Sequence, residues 1–427
     1  MTEEATNEVP ISESKYCITL DDVEGAYNRI KDQVVKTPLL QSTNLSNKCG
    51  CKLYFKLENL QRCKAFKFRG ALNKVSQLPK GSTVCAVSAG NHSQGVALAS
   101  TICNCKSVIY MPTNAMISKV QATEGYGGQV ILEGDTFDDA KVAMERALEQ
   151  NKDWTYVPPY NDKDVIAGQG TIGIEIFNEL PETNIVVVPI GGGGLISGVA
   201  YALKHLNKDI RVIGVQMTSS PATYINYYKK YGKKPKVTSH EQKSPLADGI
   251  AVKTPGQLNL DIIYDFVDDV VVVTEDEVAM AIAIMAERLK IIAEGAGAVA
   301  FAAVMSRKFK YLSKDKIVAI VSGGNIPLPM LGRCIERALF LRETRIALSV
   351  IMPYGSLHIK DMVDIVVNNK AQILKLNMEG QIDTFANKEH CAIVLDANNA
   401  ASLAQIKSEY DANGWSYTIQ NTAALDE

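Results

Sequence analysis

Between about Thr19 and Leu341, short apolar runs alternate with longer amphipathic segments, and this alternation constrains the fold more than any other feature. The amphipathic segments include residues 136–150 and 275–290. Apolar strands that alternate with helices are typical of a mostly parallel sheet covered on both faces. The predicted strands are residues 52–57, 84–87, 108–111, 129–132, 185–190, 211–215, 269–274 and 317–321. We therefore predict an α/β fold that binds its ligands at the carboxyl ends of the strands.

The two ends of the chain are predicted to differ from this region. Residues 1–18 look like a flexible lead, and a helix then runs to about Ile30, with Thr19 and Asp22 in the positions of a capping box. After a boundary at about residues 341–344 the order becomes β-α-β-β-α-β, a small ferredoxin-like α+β domain. Its predicted elements are residues 346–352, 356–367, 371–376, 391–395, 400–410 and 415–419. The domains are thus residues 19–341, with a smaller subdomain at roughly 65–170, and 345–427.

Composition excludes several classes of protein. The formal net charge of -2 gives no basic surplus for nucleic acid. The most apolar stretch, residues 278–305, contains four charged residues and does not suit a membrane helix, and the polar, acidic N-terminus does not resemble a secretory signal. Nine cysteines, an odd number, exclude a complete disulfide framework, and their spacing does not suggest zinc. We expect a cytoplasmic protein with no metal site, no nucleic-acid partner and no membrane partner.

A run of four glycines points to phosphate binding. Gly191, Gly192, Gly193 and Gly194 follow an apolar strand, and Leu195 then opens a helix. Backbone amides in such a loop converge on an anion at the helix N-terminus. No Lys-Ser or Lys-Thr pair follows, so the run is not a Walker A loop. The pattern indicates a phosphate without identifying the molecule, and a purely structural turn is the alternative.

Three further loops carry polar or reactive groups. The segment Ser88-Ala89-Gly90-Asn91-His92 follows a strand and could grip a carboxylate, although such residues are also common in turns. Lys67 stands between Phe66 and Phe68, where a partly desolvated amine has a lowered pKa and becomes nucleophilic; a surface lysine is the alternative. The segment Ser322-Gly323-Gly324-Asn325 offers a hydroxyl and free amides at the end of another strand.

Taken together, these loops resemble the fold-type II pyridoxal-phosphate (PLP) enzymes, in the threonine/serine dehydratase branch. The resemblance covers about residues 19–341. Residues 165–171, 246–249 and 293–298 also match. It implies a fold like the tryptophan synthase β subunit, and PLP as the cofactor.

The resemblance also implies a role for each matched residue. Lys67, beside Phe66, would form the Schiff base with the cofactor and later remove the Cα proton. Gly191, Gly192, Gly193, Gly194 and Leu195 would hold the phosphate, Asn91 the ring hydroxyl, and Ser322 the pyridine nitrogen. The substrate carboxylate would be bound by Ser88, Ala89, Gly90, Asn91 and His92.

The implied reaction is removal of the β-hydroxyl and the amino group from L-threonine or L-serine, giving 2-oxobutanoate or pyruvate plus ammonia. A β-replacement enzyme, a serine racemase and an amino-acid sensor that merely holds PLP are the alternatives. Ala89 lacks the hydroxyl that such racemases carry there, and residues 216–222 lack their metal-binding carboxylates. Pro158-Pro159 replaces the usual His-Pro. The sequence decides neither between threonine and serine nor between isoleucine biosynthesis and a catabolic role.

Residues 345–427 resemble an ACT domain, an amino-acid-sensing module. Tyr354 is inserted between Pro353 and Gly355 in the loop that usually meets the ligand. The interpretations left open are binding of an amino-acid or nucleotide effector and a structural role in dimerisation. Either makes a homodimer or homotetramer the expected state. Glu294 is interpreted either as a ligand of a monovalent cation or as a structural carboxylate.

Overall fold

The computed structural model describes residues 15–238, 246–379 and 388–419 of the chain. It divides into two compact units between Pro327 and Leu328. The helix Leu328–Leu341 therefore belongs to the second unit, whereas the sequence predicts a boundary after it, at about residues 341–344. Within that unit, Arg345 pairs with Glu336 of this helix at 3.1 Å. No helix in the described residues is long and apolar enough to cross a membrane.

Residues 15–18 fall in the predicted flexible lead, yet they are packed against the rest of the first unit. The Tyr16 hydroxyl donates to Asp265 at 2.6 Å, and Ile18 is 1% exposed in the main hydrophobic core. An apolar side chain just before the Thr19 cap is buried with the helix that it precedes. Residues 1–14, the rest of the predicted lead, lie outside the described residues.

The first unit contains the alternating strands and helices that the sequence predicts. Its strands are β1 (Leu39–Gln41), β2 (Lys52–Leu57), β3 (Thr83–Val87), β4 (Lys106–Met111), β5 (Gln129–Leu132), β6 (Thr155–Tyr156), β7 (Ile185–Pro189), β8 (Arg211–Met217), β9 (Asp269–Val273) and β10 (Lys316–Val321). Its helices are α1 (Leu20–Ile30), α2 (Thr43–Cys49), α3 (Lys67–Val75), α4 (Asn91–Ile102), α5 (Ile117–Gly125), α6 (Phe137–Gln150), α7 (Lys163–Glu179), α8 (Gly194–Leu206), α9 (Ala222–Lys230), α10 (Gln257–Phe266), α11 (Glu275–Ile284) and α12 (Gly295–Met305). The α/β fold is confirmed, and so is the capping box of Thr19 and Asp22 at α1.

Two sheets build this unit. The larger has the strand order β1-β2-β10-β7-β8-β9, parallel except for the antiparallel pair β1–β2. The smaller is parallel, in the order β5-β4-β3-β6, and forms the core of the subdomain predicted at 65–170. All residues of β7 are buried, as continuous apolar runs predict for strands covered on both faces. The short strands β1 and β6 were missed because two or three residues carry no periodic pattern.

Helices α7 and α8 pack closely through glycine. A Cβ atom placed on Gly198 of α8 would lie 2.3 Å from the Ile166 carbonyl oxygen and 2.5 Å from the Gly170 nitrogen, both on α7. This close approach fixes α8, and with it the glycine loop at its N-terminus, against α7. The predicted helix 275–290 ends sooner, because α11 gives way to a π-helical turn, Met285–Leu289.

The second unit has the predicted β-α-β-β-α-β order after its first helix. Its elements are α13 (Leu328–Leu341), β11 (Arg345–Pro353), α14 (Ser356–Asn368), β12 (Gln372–Glu379), β13 (Lys388–Asp396), α15 (Ala400–Ala412) and β14 (Ser416–Ile419). The antiparallel sheet has the order β12-β13-β11-β14, consistent with an ACT-like domain. Every second residue of β11 from Ile346 to Met352 is buried, which explains the alternating pattern that predicted this strand.

Candidate active site

Lys67 is the first residue of α3 and has an unusually acidic ammonium group. Its Nζ donates to the Pro159 carbonyl oxygen at 2.7 Å and lies 5.3 Å from the centre of the Phe66 ring. Burial lowers the pKa of Lys67 to about 8, and the Glu294 carboxylate opposes this shift. The lowered pKa that the flanking aromatic residues predicted is therefore present, and a large part of the amine is neutral slightly above neutral pH.

The segment before Lys67 is bonded to the loop after β10. The Phe66 amide donates to the Ser322 carbonyl at 3.0 Å, Ala65 pairs with Gly323, and the Gly324 amide donates to Lys64 at 2.8 Å. The buried Ser322 hydroxyl donates to the Ala296 carbonyl at 3.2 Å. Two of the predicted loops that are distant in sequence are thus joined through their backbones, because β2 and β10 are adjacent strands.

Asn91 lies in a network that the sequence did not predict. Its Nδ2 donates to Glu294 at 2.7 Å, and its Oδ1 accepts from Asn325 Nδ2 at 2.8 Å. Asn325 Nδ2 also donates to the Cys63 carbonyl at 2.9 Å, which fixes the orientation of both amides. Burial, reinforced by Asp248, raises the pKa of Glu294 to about 7, while the bond from Asn91 opposes the rise. Glu294 therefore has a defined hydrogen-bond partner, Asn91, as a structural carboxylate would. A structural carboxylate is one of the two interpretations left open.

The His92 ring is buried and hydrogen-bonded to the backbone of another segment. His92 is 4% exposed, and its Nε2 lies 2.8 Å from the Val157 carbonyl oxygen. Since a carbonyl only accepts, Nε2 carries the proton. Burial lowers the pKa of His92 to about 3, so the ring is neutral. The backbone amides at the start of α4, where Gly90 offers no capping side chain, are then the groups suited to a carboxylate.

The glycine loop is shaped by close neighbours. Gly193, the N-cap residue of α8, has a φ of 104°, and no side chain caps this helix. A Cβ atom on Gly192 would lie 2.3 Å from the Tyr160 ring. Asn259 Nδ2 donates to the carbonyls of Gly192 and Tyr160 at 3.2 and 3.3 Å. The loop is therefore held in place through the Gly192 carbonyl, and the uncapped amides at the N-terminus of α8 are suited to bind an anion.

The predicted residues come together at the carboxyl ends of β2, β3, β7 and β10. Pro159 contacts Lys67, and the next residue, Tyr160, packs against Gly192. Two adjacent residues therefore contact both the amine and the glycine loop. Tyr160 is the contributor that sequence reasoning missed, whereas Pro159 and Asn325 were noted in the sequence but given no role. Nothing in a single sequence distinguishes Tyr160 from a core aromatic residue, whereas the departure at Pro158-Pro159 was a visible signal.

These residues fit PLP. The cofactor needs a weakly basic lysine, an anion site for its phosphate and neutral polar groups around its ring. Lys67 would supply the amine, the uncapped N-terminus of α8 the anion site, and Asn91 and Ser322 the neutral polar groups. Among the described residues, no cluster of His, Cys, Asp and Glu side chains could hold a metal ion.

A family model described as "Pyridoxal-phosphate dependent enzyme" matches residues 30–323. The chain belongs to this family of PLP-dependent enzymes, and its fold is of type II. Among its relatives is the L-threonine ammonia-lyase of Thermotoga maritima, 42% identical over 362 residues, which cover 84% of this chain and 88% of that protein. The catabolic L-threonine dehydratase of Staphylococcus aureus is 41% identical, over 79% of this chain and 98% of that protein.

Two solved structures share this fold, but their names give different activities. The processed form of threonine deaminase isoform 2 from Solanum lycopersicum has a TM-score of 0.69 and 35% identity, covering 75% of this chain and 87% of its own. Maize serine racemase has a TM-score of 0.69 and 33% identity, covering 76% of this chain and 99% of its own. Overall similarity to solved structures therefore does not separate a deaminase from a racemase.

Proposed function

We propose that the chain is an L-threonine/L-serine ammonia-lyase that releases 2-oxobutanoate or pyruvate together with ammonia. The observation that carries the proposal is the Lys67 amine, whose pKa of about 8 suits a base near neutral pH. The amine lies among the four predicted loops. The chain that contains them is 42% identical to an L-threonine ammonia-lyase.

Each predicted residue has a part in this reaction. Bound PLP would supply an aldehyde for the substrate amine and an acceptor for the electrons of the broken Cα–H bond. Lys67 would hold the cofactor, residues 191–195 its phosphate through backbone amides, and Asn91 and Ser322 its ring. Backbone amides at the start of α4 would bind the substrate carboxylate, which places Cα near Lys67 Nζ. The neutral Lys67 amine then takes the Cα proton.

Ser322 favours elimination over reactions that need a long-lived carbanion. Its hydroxyl is neutral and already donates to the Ala296 carbonyl at 3.2 Å, so it does not enforce a positive charge on a ring nitrogen as a carboxylate would. A site without that charge withdraws electrons less strongly, which suits prompt loss of the β-hydroxyl.

Racemisation is the second candidate, because maize serine racemase matches the fold as well as the threonine deaminase does. Inverting Cα needs a second acid–base group on the opposite face of the substrate. The residue expected to supply it is Ala89, which has no hydroxyl. Residues 216–222, at the end of β8 and after it, also lack the metal-binding carboxylates expected of such racemases, and the Gln216 side chain is bonded to the Ile190 carbonyl and the Tyr224 amide. We therefore rank racemisation below elimination.

The proposal extends to assembly, regulation and location. The ACT-like unit is proposed to bind an effector or to pair in a homodimer or homotetramer, and Tyr354, 73% exposed, stands in the loop where an effector would bind. A cytoplasmic location is proposed from the free thiols of Cys17, Cys49, Cys51, Cys63 and Cys85.

A 2-oxo acid assay on the purified protein tests the function. L-threonine and L-serine are compared at matched concentrations, with and without isoleucine and nucleotides, and D-serine is measured in the same samples. Formation of 2-oxobutanoate or pyruvate in excess of D-serine supports the lyase and ranks its substrates. A PLP-loaded sample that forms no 2-oxo acid contradicts it.

A further inference from the structure

Residues 157–160, which connect β6 to α7, are anchored at their first residue to the small sheet and to α4. Val157 is completely buried, and its amide donates to the Cys85 carbonyl of β3 at 2.9 Å. Its carbonyl accepts from His92 Nε2 at 2.8 Å. The 157–160 segment therefore begins at a fixed place beside the predicted substrate loop.

The other end of the segment is anchored to the glycine loop. The Tyr160 ring fills the space in which a Gly192 side chain would lie, and its hydroxyl donates to the Thr254 carbonyl at 3.2 Å. The Tyr160 carbonyl accepts from Asn259 at 3.3 Å. Consequently the segment cannot shift at this end without moving the predicted phosphate loop.

Two prolines stand between these anchors. Each proline ring fixes φ near -65°, and a residue that precedes proline is further restricted to extended backbone, which here applies to Val157 and Pro158. With φ of Pro159 fixed by its ring and Tyr160 anchored on the other side, few orientations are left to the peptide between them, and its Pro159 carbonyl oxygen accepts from Lys67 Nζ at 2.7 Å.

We propose that the 157–160 segment is a positioning device for the free Lys67 amine, and that Pro159 is the residue that sets its direction. The inference rests on the proposed function, in which Lys67 leaves the cofactor during each turnover. A neutral amine has two N–H bonds and one lone pair, so one N–H donated to Pro159 restricts where the lone pair points. When the Cα–H bond breaks and a new N–H bond forms at Nζ, the same carbonyl solvates the ammonium ion.

Substitutions at Pro159 test this role. Pro159→Gly frees the backbone and lets the carbonyl turn, and Pro159→Ala retains much of the original preference. Pro181→Gly, at an exposed proline in the turn before β7, controls for the general effect of such a change. We expect Pro159→Gly to lower kcat by about ten- to a hundredfold with little change in KM, Pro159→Ala to lose less, and Pro181→Gly to match the wild type.

A second measurement does not depend on turnover. The rate at which cofactor-free protein captures added PLP, followed by the absorbance of the product, is recorded against pH and gives the pKa of the free Lys67 amine. The wild type should show a midpoint at about 8. Pro159→Gly should have a lower midpoint, because the ammonium form has lost its acceptor.

Two outcomes decide the inference. It is supported if Pro159→Gly changes both kcat and the capture midpoint while Pro181→Gly changes neither. It is overturned if the two variants behave alike in both assays; if Pro159→Gly does not fold, Pro159→Ala is judged by the same comparison. A wild type that forms no 2-oxo acid refutes the proposed function, yet the capture midpoints still test the position of the amine.

Discussion

The chemistry of this site depends on the surroundings of Lys67 more than on its residue type. Burial removes water from the ammonium group, and the one acceptor within hydrogen-bonding distance of Nζ that the described residues supply is the neutral Pro159 carbonyl. Glu294 is the carboxylate that raises the pKa of the lysine, yet it is itself partly protonated near neutral pH. The amine therefore loses its proton far more readily than an exposed lysine does.

Replacing this amine should end turnover. Lys67→Ala is expected to lower kcat by about a thousandfold or more, since it removes both the attachment of the cofactor and the base. Lys80→Ala, at an exposed lysine of the same unit, should retain wild-type activity. Both are checked by 2-oxo acid formation in purified, folded protein, and turnover by the Lys67 variant would refute the assignment.

The pH dependence of kcat should follow the free amine. Below pH 8 the ammonium form predominates and cannot accept the Cα proton, so kcat should rise with pH and level off above about 8. Glu294→Gln removes the carboxylate that raises the pKa of Lys67, so this rise should move to lower pH. Initial rates at saturating substrate, measured across neutral to mildly alkaline pH, test both expectations. A profile that is flat through this range, or one that moves to higher pH in the variant, would contradict them.

At the scale of elements, a buried ion cluster ties α3 to the rest of the unit. Arg69, two residues after Lys67, makes paired bonds to Glu58 after β2 and to Glu175 of α7, all between 2.7 and 3.0 Å. Lys56 of β2 joins Glu175 at 2.7 Å. Burial alone would raise the pKa of Glu58, but the Arg69 guanidinium holds it below its usual value. The cluster fixes the helix that begins at Lys67 relative to both β2 and α7.

Breaking this cluster should destabilise the protein strongly. Arg69→Met leaves Glu58 without its cation in a buried site and should cost about 3–5 kcal/mol in the free energy of unfolding. The exposed pair Arg146–Glu133, 3.1 Å apart, provides a control, since Arg146→Ala should cost at most about 1 kcal/mol. Urea unfolding at neutral pH measures both. Equal losses in the two variants would show that the cluster does not stabilise the fold.

At the scale of the whole molecule, every residue assigned to the site belongs to the unit that ends at Pro327. The Staphylococcus aureus relative is covered almost completely, 98%, by a match to 79% of this chain. About a fifth of this chain therefore has no counterpart in that relative. The residues proposed for the chemistry therefore all lie in the first unit.

Removing the second unit should accordingly leave the chemistry intact. A chain that ends at Pro327 is expected to keep kcat within a factor of about two of the full chain, because it retains every residue assigned to the site and independent contributions are additive. Any response of the full chain to isoleucine or nucleotides should be lost. A second truncation after Leu341 retains α13 and controls for the position of the cut. A soluble, PLP-loaded truncation without activity would show that the second unit is needed for catalysis.

Local patterns in the sequence determined a large share of this structure. The apolar runs predicted the strands, the pair Thr19 and Asp22 predicted the start of α1, and four glycines after a strand predicted an uncapped helix N-terminus. The flanking aromatic residues predicted the lowered pKa of Lys67. Each of these features depends on residues close together in the chain, so periodicity and residue type were sufficient to find it.

Tertiary structure alone decided how these parts meet. The sheet order places β2 beside β10 and β10 beside β7, which brings the loops after them together although they are far apart in sequence. Asn91 and Glu294 are 203 residues apart, and Lys67 and Pro159 are 92 apart. The direction of the His92 ring and the packing of Tyr160 on Gly192 are likewise set by distant neighbours. A hydrogen bond between such partners exists only after the sheets have packed, and no pattern local to either residue encodes it.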